Sequence, residues 1–216
     1  MRQLGGGELI LGNWQGIGAR EPMTRHRFEV MAPLLEIQPY ITKLSYQDDP
    51  PNVTHNTFQF RQTTMPRIGE AHTLVNWHGD HFNIPDVDIS PWLTGITPSE
   101  ESKGKVIFAR TLRYTNPQFR WARAGQLYPH AMFVGFEDEW RAMCLASGRP
   151  IEWRKTENLL QVAELIAGSD LLISNQNVHF WIACGMGHPV IQETDRNNLN
   201  SVIRRDNAQY FLGPYP

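Results

Sequence analysis

From Asn158 onward the apolar positions switch between two periods. Leu159, Val162, Ala163 and Ile166 recur at helical spacing, with Gly168 placed as a C-cap. Leu171-Leu172-Ile173 is a short continuous apolar run, read as a buried strand, and it ends in the polar turn Ser174-Asn175-Gln176-Asn177. Val178 to Met186 returns to helix and stops at Gly187; Pro189-Val190-Ile191 restarts extended structure. Helix, strand, turn, helix and strand in that order predict one right-handed crossover unit of a parallel sheet. Upstream, Val106–Ala109, Ala131–Val134 and Ile151–Trp153 read as strands, Glu137–Ser147 as a helix, and Gln209–Phe211 as a last strand. This alternation predicts an α/β fold built on an open, mainly parallel sheet.

The first ninety residues are less regular. Gly5-Gly6-Gly7 precedes the strand-like Glu8-Leu9-Ile10-Leu11 without any phosphate-loop or dinucleotide fingerprint, so the glycines read as a turn. Thr24 is placed to cap a helix carrying Phe28, Met31, Leu34 and Leu35, and Pro33 predicts a kink or two short helices. Ile41–Tyr46 reads as a strand, 47–66 as mostly loop, and Thr73-Leu74-Val75 as a short strand. Pro91-Trp92-Leu93 followed by Pro98-Ser99-Glu100-Glu101-Ser102 predicts a domain boundary, with residues 1–97 and 98–216 on either side.

Composition narrows the function classes. A net charge of −2 with scattered Lys and Arg gives no footprint for nucleic acid. No apolar run approaches the roughly 18–20 residues of a membrane span. The two cysteines, Cys144 and Cys184, lie in apolar helical segments and read as reduced thiols, which suits a cytoplasmic protein.

Candidate chemistry gathers where strands end. In open α/β sheets ligands bind at the carboxyl ends of strands, where helix N-termini aim N–H groups at anions. Ser174, Asn175, Gln176 and Asn177 occupy one such turn, read as the site of a nucleotide diphosphate. Arg110 and Arg113 follow the strand 106–109 and would face that turn, their planar guanidinium groups suited to phosphate. Glu193 ends the strand that starts at Pro189; a ribose-binding acid and a solvent-facing loop acid are equally open readings. His72, His78, Asp80 and His81 are the densest group of metal-ligand types, but their spacing matches no known site, and solvated loop imidazoles are the favoured reading. No metal is expected. The tryptophans Trp121, Trp140, Trp153 and Trp181 read as packing residues.

Taken together, Val106-Ile107-Phe108-Ala109-Arg110, Arg113-Tyr114-Thr115-Asn116, Phe119-Arg120-Trp121, Phe133-Val134-Gly135, Ile166-Ala167-Gly168-Ser169-Asp170-Leu171, Ser174–Asn177, Gly185, Gly187, Pro189 and Glu193 resemble the nucleotide-sugar half of GT-B glycosyltransferases. The pattern is most similar to the ADP-heptose lipopolysaccharide heptosyltransferase-like proteins of bacteria and phages. That resemblance implies a GT-B-like α/β fold: a Rossmann-like C-terminal domain, 98–216, that binds a nucleotide-diphospho-sugar, and a reduced N-terminal α/β domain, 1–97, on the acceptor side. It implies inverting, metal-independent sugar transfer, with no cofactor beyond the donor substrate. It also implies that the strand, loop and helix which open such enzymes, and which supply the catalytic base, are missing here. The stand-ins for that base are Glu8, Asp80 and Asp86. Gln176 stands where many relatives carry Asp, and Trp181 where many carry His. The alternative class is a non-catalytic nucleotide-binding or nucleotide-sequestering protein derived from such an enzyme. A shortened N-terminal sheet further predicts a homo-oligomer or an unusual cover.

Overall fold

The computed structural model describes residues 1–12, 23–48, 53–57 and 73–213. They divide into two compact units, Met1–Ile89 and Ser90–Pro216. The division falls eight residues ahead of the boundary read at 97/98, and local bonding explains why. The N–H groups of Trp92 and Leu93 both donate to the carbonyl of Gly185, at 2.7 and 2.8 Å, so Pro91-Trp92-Leu93 is anchored within the second unit.

In the first unit, β1 (Gly7–Gly12) and β2 (Ile41–Gln47) form a parallel pair, joined in sequence through α1 (Arg25–Glu36). Thr24 caps α1 as its sequence suggests, accepting from the Arg27 N–H at 3.2 Å. Pro33 does not divide the helix. Proline removes one hydrogen bond, to the residue four positions back; here that is exposed Glu29, while Ala32 and Leu34 hold the same turn by burial. Thr73-Leu74-Val75 is not a strand but the start of α2 (Leu74–His81). A reciprocal cap marks its start: the Asn76 N–H donates to the Thr73 hydroxyl, and the Thr73 N–H donates to Asn76 Oδ1 at 3.1 Å. His78, Asp80 and His81 therefore lie on or at the end of a helix rather than in a loop, while His72 is outside the described residues. Among the described residues, no group of three or more His, Cys, Asp or Glu is arranged to hold a metal.

The second unit is a six-stranded, all-parallel sheet. Its elements run β3 (Val106–Ala109), α3 (Trp121–Leu127), β4 (Met132–Val134), α4 (Glu137–Ser147), β5 (Glu152–Arg154), α5 (Leu159–Gly168), β6 (Leu171–Ser174), α6 (Val178–Met186), β7 (Val190–Glu193) and β8 (Ala208–Phe211). Across the sheet the order is β5-β4-β3-β6-β7-β8. Numbered within the unit, this is the 3-2-1-4-5-6 arrangement of dinucleotide-binding folds, whose topological switch point lies between the first and fourth strands. Those strands are β3 and β6, which pair directly: Ala109 at the end of one lies opposite Ser174 at the end of the other.

Strand alternation then sorts the side chains. Val106, Phe108 and Ile173 face a core with Trp121, Ala124 and Met143 from α3 and α4. Helix α3 is the element the sequence reading missed: it has no side-chain cap and only seven residues, and its buried Trp121 holds it to the core. Gly168 is the last residue of α5 rather than its cap. A side chain there would press within 2.1 Å of the Ser99 carbonyl, so the position answers to close packing.

Candidate functional site

The tips of β3, β6 and β7 meet in one hydrogen-bonded knot. Its centre is Glu193, whose side chain is 0% exposed. Oε2 accepts from Arg110 Nε at 2.8 Å and from the Trp121 indole at 3.0 Å; Oε1 accepts from Arg110 Nη2 at 3.1 Å and from the Asn116 N–H at 2.7 Å. A carboxylate has about four lone-pair sites, and all are taken. The structure thus gives Glu193 a different part from either reading of its sequence: it neither faces solvent nor offers an oxygen to a ribose. It bridges from β7, past the tip of β6, to the loop that follows β3.

Arg110 is held by this pairing. Its side chain is 17% exposed, and its guanidinium carbon lies 5.7 Å from the Trp121 ring centre. Nε and Nη2 are committed to Glu193, while Nη1 has no hydrogen-bond partner among the described residues. Arg113, three residues on, is exposed, with its guanidinium carbon 5.7 Å from the Tyr114 ring. It is also an electrostatic neighbour of Glu139, in the first turn of α4. Burial pushes the Glu139 carboxyl above its ordinary range; a hydrogen bond from the Phe136 N–H and the charge of Arg113 pull in the other direction.

The turn Ser174–Asn177 is buried throughout, and its side chains look inward. The Asn175 carboxamide organises the loop after β3: Oδ1 accepts from the Thr111 N–H at 3.0 Å, and Nδ2 donates to the carbonyls of Thr111 and Arg113. The loop folds round this group with Tyr114 at φ 53°, a left-handed conformation uncommon for tyrosine. Asn177 caps α6, accepting from the Phe180 N–H at 3.1 Å while donating to the Ala109 carbonyl at 3.2 Å. Gln176 reaches the other way, accepting from the Asp195 N–H at 2.8 Å and donating to the Asn198 carbonyl. The polar run therefore works mainly as a clasp between three strand-tip loops.

What faces outward is the start of α6. The first N–H groups of a helix lack intrahelical acceptors, and Asn177 takes only that of Phe180. The N–H groups of Val178 and His179 belong to this set, and Val178 is 45% exposed. The His179 ring is buried, and desolvation pulls its pKa down to about 4, so it stays neutral at ordinary pH.

The structure brings together Arg110, Arg113, Ser174, Asn175, Gln176, Asn177 and Glu193. Sequence reasoning missed Thr111, the role of Asn116 and the indole donor of Trp121. An indole N–H needs an acceptor when buried, which was the available signal for Trp121. The three carboxylates considered as catalytic bases lie in the first unit. Glu8 sits on β1 and is paired with Lys43 Nζ at 2.8 Å; that hydrogen bond, the largest influence, lowers its pKa and with it its basicity. Asp80 lies in α2, and the Asp86 carbonyl accepts from the Gln3 side chain at 2.9 Å.

No sequence family and no curated protein matches this chain. Among solved structures it is similar to the glycosyl transferase family 9 protein from Veillonella parvula DSM 2008, at 12% identity over 85% of this chain and 74% of that one, with a TM-score of 0.47. It is also similar to the dodecameric iron-containing heptosyltransferase TibC, solved in complex with ADP-D-beta-D-heptose. There the identity is 16% over 86% of this chain, with a TM-score of 0.50. The chain spans about half of TibC, 53% of its length. The fold is GT-B-like and resembles that of the heptosyltransferases.

Proposed function

We propose that this protein is a glycosyltransferase of the heptosyltransferase-like type, transferring sugar with inversion from a nucleotide-diphospho-sugar held at the β3/β6 switch point. The observation that carries this reading is the adjacency of the two strand tips. It sets the exposed start of α6 beside a loop bearing Arg113 and the spare Nη1 of Arg110. Helix N–H groups and guanidinium donors are the means by which a departing diphosphate is neutralised. TibC, which shares the fold, carries ADP-D-beta-D-heptose in its crystal structure, and that supports a nucleotide sugar as the ligand class.

In this reading Arg113 is the principal phosphate cation, because it is exposed and makes no ion pair with a described residue. Glu193 and Asn175 are positioning residues that hold Arg110 and the Thr111–Tyr114 loop. Glu8, Asp80 and Asp86 stay the candidates for the base that takes the proton of the acceptor hydroxyl. Asp80 and Asp86 suit that role better than Glu8, whose basicity Lys43 lowers. No metal takes part in the proposed chemistry. Two further proposals follow from the chain as a whole. The thiols Cys144 and Cys184 are free, which suits the cytoplasm. Among the described residues β1 and β2 pair only with each other, which suits edge-to-edge assembly into a homo-oligomer.

Thermal unfolding against a panel of nucleoside diphosphates tests the binding step. A ligand at 100 times its Kd adds about 2.7 kcal/mol, roughly 5–10 °C for a chain of this size. One diphosphate should produce that shift, and Arg113→Ala should remove it while leaving the unliganded Tm unchanged. No shift with any nucleotide would end the proposal. Binding without slow release of free sugar from the donor would instead identify a nucleotide-binding protein that does not transfer.

A further inference from the structure

We infer that Phe136 is the platform on which the nucleobase stacks, which makes it a specificity-determining residue of the nucleotide site; the inference rests on the reading above. Residues Ala131 to Val134 are buried without exception, yet Phe136, two residues further along, is 76% exposed. Its main chain is nevertheless pinned. The Phe136 N–H donates to Glu139 Oε2 at 3.0 Å, its carbonyl accepts from the Trp140 N–H at 2.9 Å, and the preceding Gly135 carbonyl accepts from the Trp153 indole at 3.0 Å. Trp153 is itself stacked on Trp140, with ring centres 5.2 Å apart. A large aromatic ring is thus presented to solvent from a rigid base, which an ordinary surface position does not require.

Its place in the sheet says what it would meet. Phe136 follows the carboxyl end of β4, the strand next to β3 on the side away from β6. Two steps of about 4.8 Å separate β4 from β6, so the end of β4 lies roughly 10 Å along the sheet edge from the end of β6, where α6 starts. A diphosphate at the β3/β6 tips has its nucleoside extending one way or the other along this edge. Arg113 marks the direction: it belongs to the β3 loop and interacts with Glu139, the same residue that holds the Phe136 N–H. Cation and ring therefore belong to neighbouring strand-tip segments that both bear on Glu139, the cation suited to phosphate and the ring to a flat apolar base. Stacking on an aromatic side chain tolerates different bases while discriminating strongly against a ligand that has none.

The test compares ligands with and without a base. Wild-type protein and the variants Phe136→Ala, Phe136→Leu and Phe136→Trp are titrated calorimetrically with ADP, GDP, UDP and CDP and, separately, with inorganic pyrophosphate. Phe136→Ala and Phe136→Leu should each weaken the preferred nucleoside diphosphate about tenfold or more and leave pyrophosphate unchanged; Phe136→Trp should bind as tightly as wild type. A nucleotide affinity unaltered in Phe136→Ala would overturn the platform while leaving the diphosphate site standing. An equal loss for pyrophosphate would also overturn it, because the change would then act on the phosphate end. Absence of nucleotide binding by the wild type would remove both this inference and the reading beneath it.

Discussion

Strands β3 and β1 are both short and apolar, yet their settings differ. β3 is buried at all four positions, Val106 to Ala109, between β4 and β6 and with helices on its faces; β1 has no fully buried residue and pairs, among the described residues, with β2 alone. A two-stranded pair is marginal unless something covers it, and here α1 supplies part of the cover, with Phe28 and Tyr46 rings 5.7 Å apart. The same contrast holds for charge. In the second unit an arginine and a glutamate are paired out of water at the strand tips; in the first, Glu8 and Lys43 pair on an exposed strand surface. A polar group can be given a fixed position only where burial makes alternatives expensive. For this reason the second unit holds the candidate site and its geometry in detail, whereas in the first the Glu8 carboxylate pairs at the surface.

Substitutions can break this contrast. The largest effect is expected from Glu193→Ala, which leaves Arg110 without its buried partner and the Asn116 and Trp121 donors without an acceptor. A cost of about 3–5 kcal/mol is expected, read from urea unfolding, with hydrogen exchange rising in peptides from 106–211 and not in those from 1–48. Equal loosening of both regions would contradict the assignment.

Acid should act next, and on the same unit. Burial lowers the pKa of His179 and of His188 to about 4 from an ordinary 6.5. Between those values the unfolded chain binds more protons than the folded one, so stability rises with pH across this window and is lost as pH falls from about 6.5 towards 4. The loss is roughly 3 kcal/mol per histidine at most, less for His188, which is less deeply buried. His188→Gln should flatten the stability–pH curve in that range, and an unchanged slope would argue against a neutral buried imidazole.

The smallest effect belongs to the first unit. Thr73→Ala removes the cap of α2 and should cost about 1 kcal/mol, with exchange increasing in peptides that cover 74–81. Loss of helix α2 altogether would mean that the cap, rather than packing of buried Trp77, decides its existence.

Much of the second unit could be read from one dimension. The helices Glu137–Ser147 and Val178–Met186 have the bounds that periodicity and Gly187 imply, because apolar spacing, caps and stop residues are local signals. In the first unit the local signals competed. Thr73-Leu74-Val75 has the β-branched content of a strand, but the segment is a helix start, capped by the reciprocal Thr73–Asn76 bonds and packed through buried Trp77. Pro33 predicted a kink or two short helices; α1 runs on through it, since the bond it removes is a single one in a turn held by Ala32 and Leu34.

By itself the sequence determined the alternation of strand and helix, and it placed Arg110, Arg113, Ser174–Asn177 and Glu193 at strand ends. These depend on period, capping and the order of elements along the chain. Tertiary structure decided which tips are neighbours and which polar groups face inward. The register that sets Ala109 beside Ser174, and the four bonds that enclose Glu193, join residues from 65 to 83 positions apart. Whether a carboxylate meets ligand or guanidinium depends on what has been folded against it, and no local pattern encodes that.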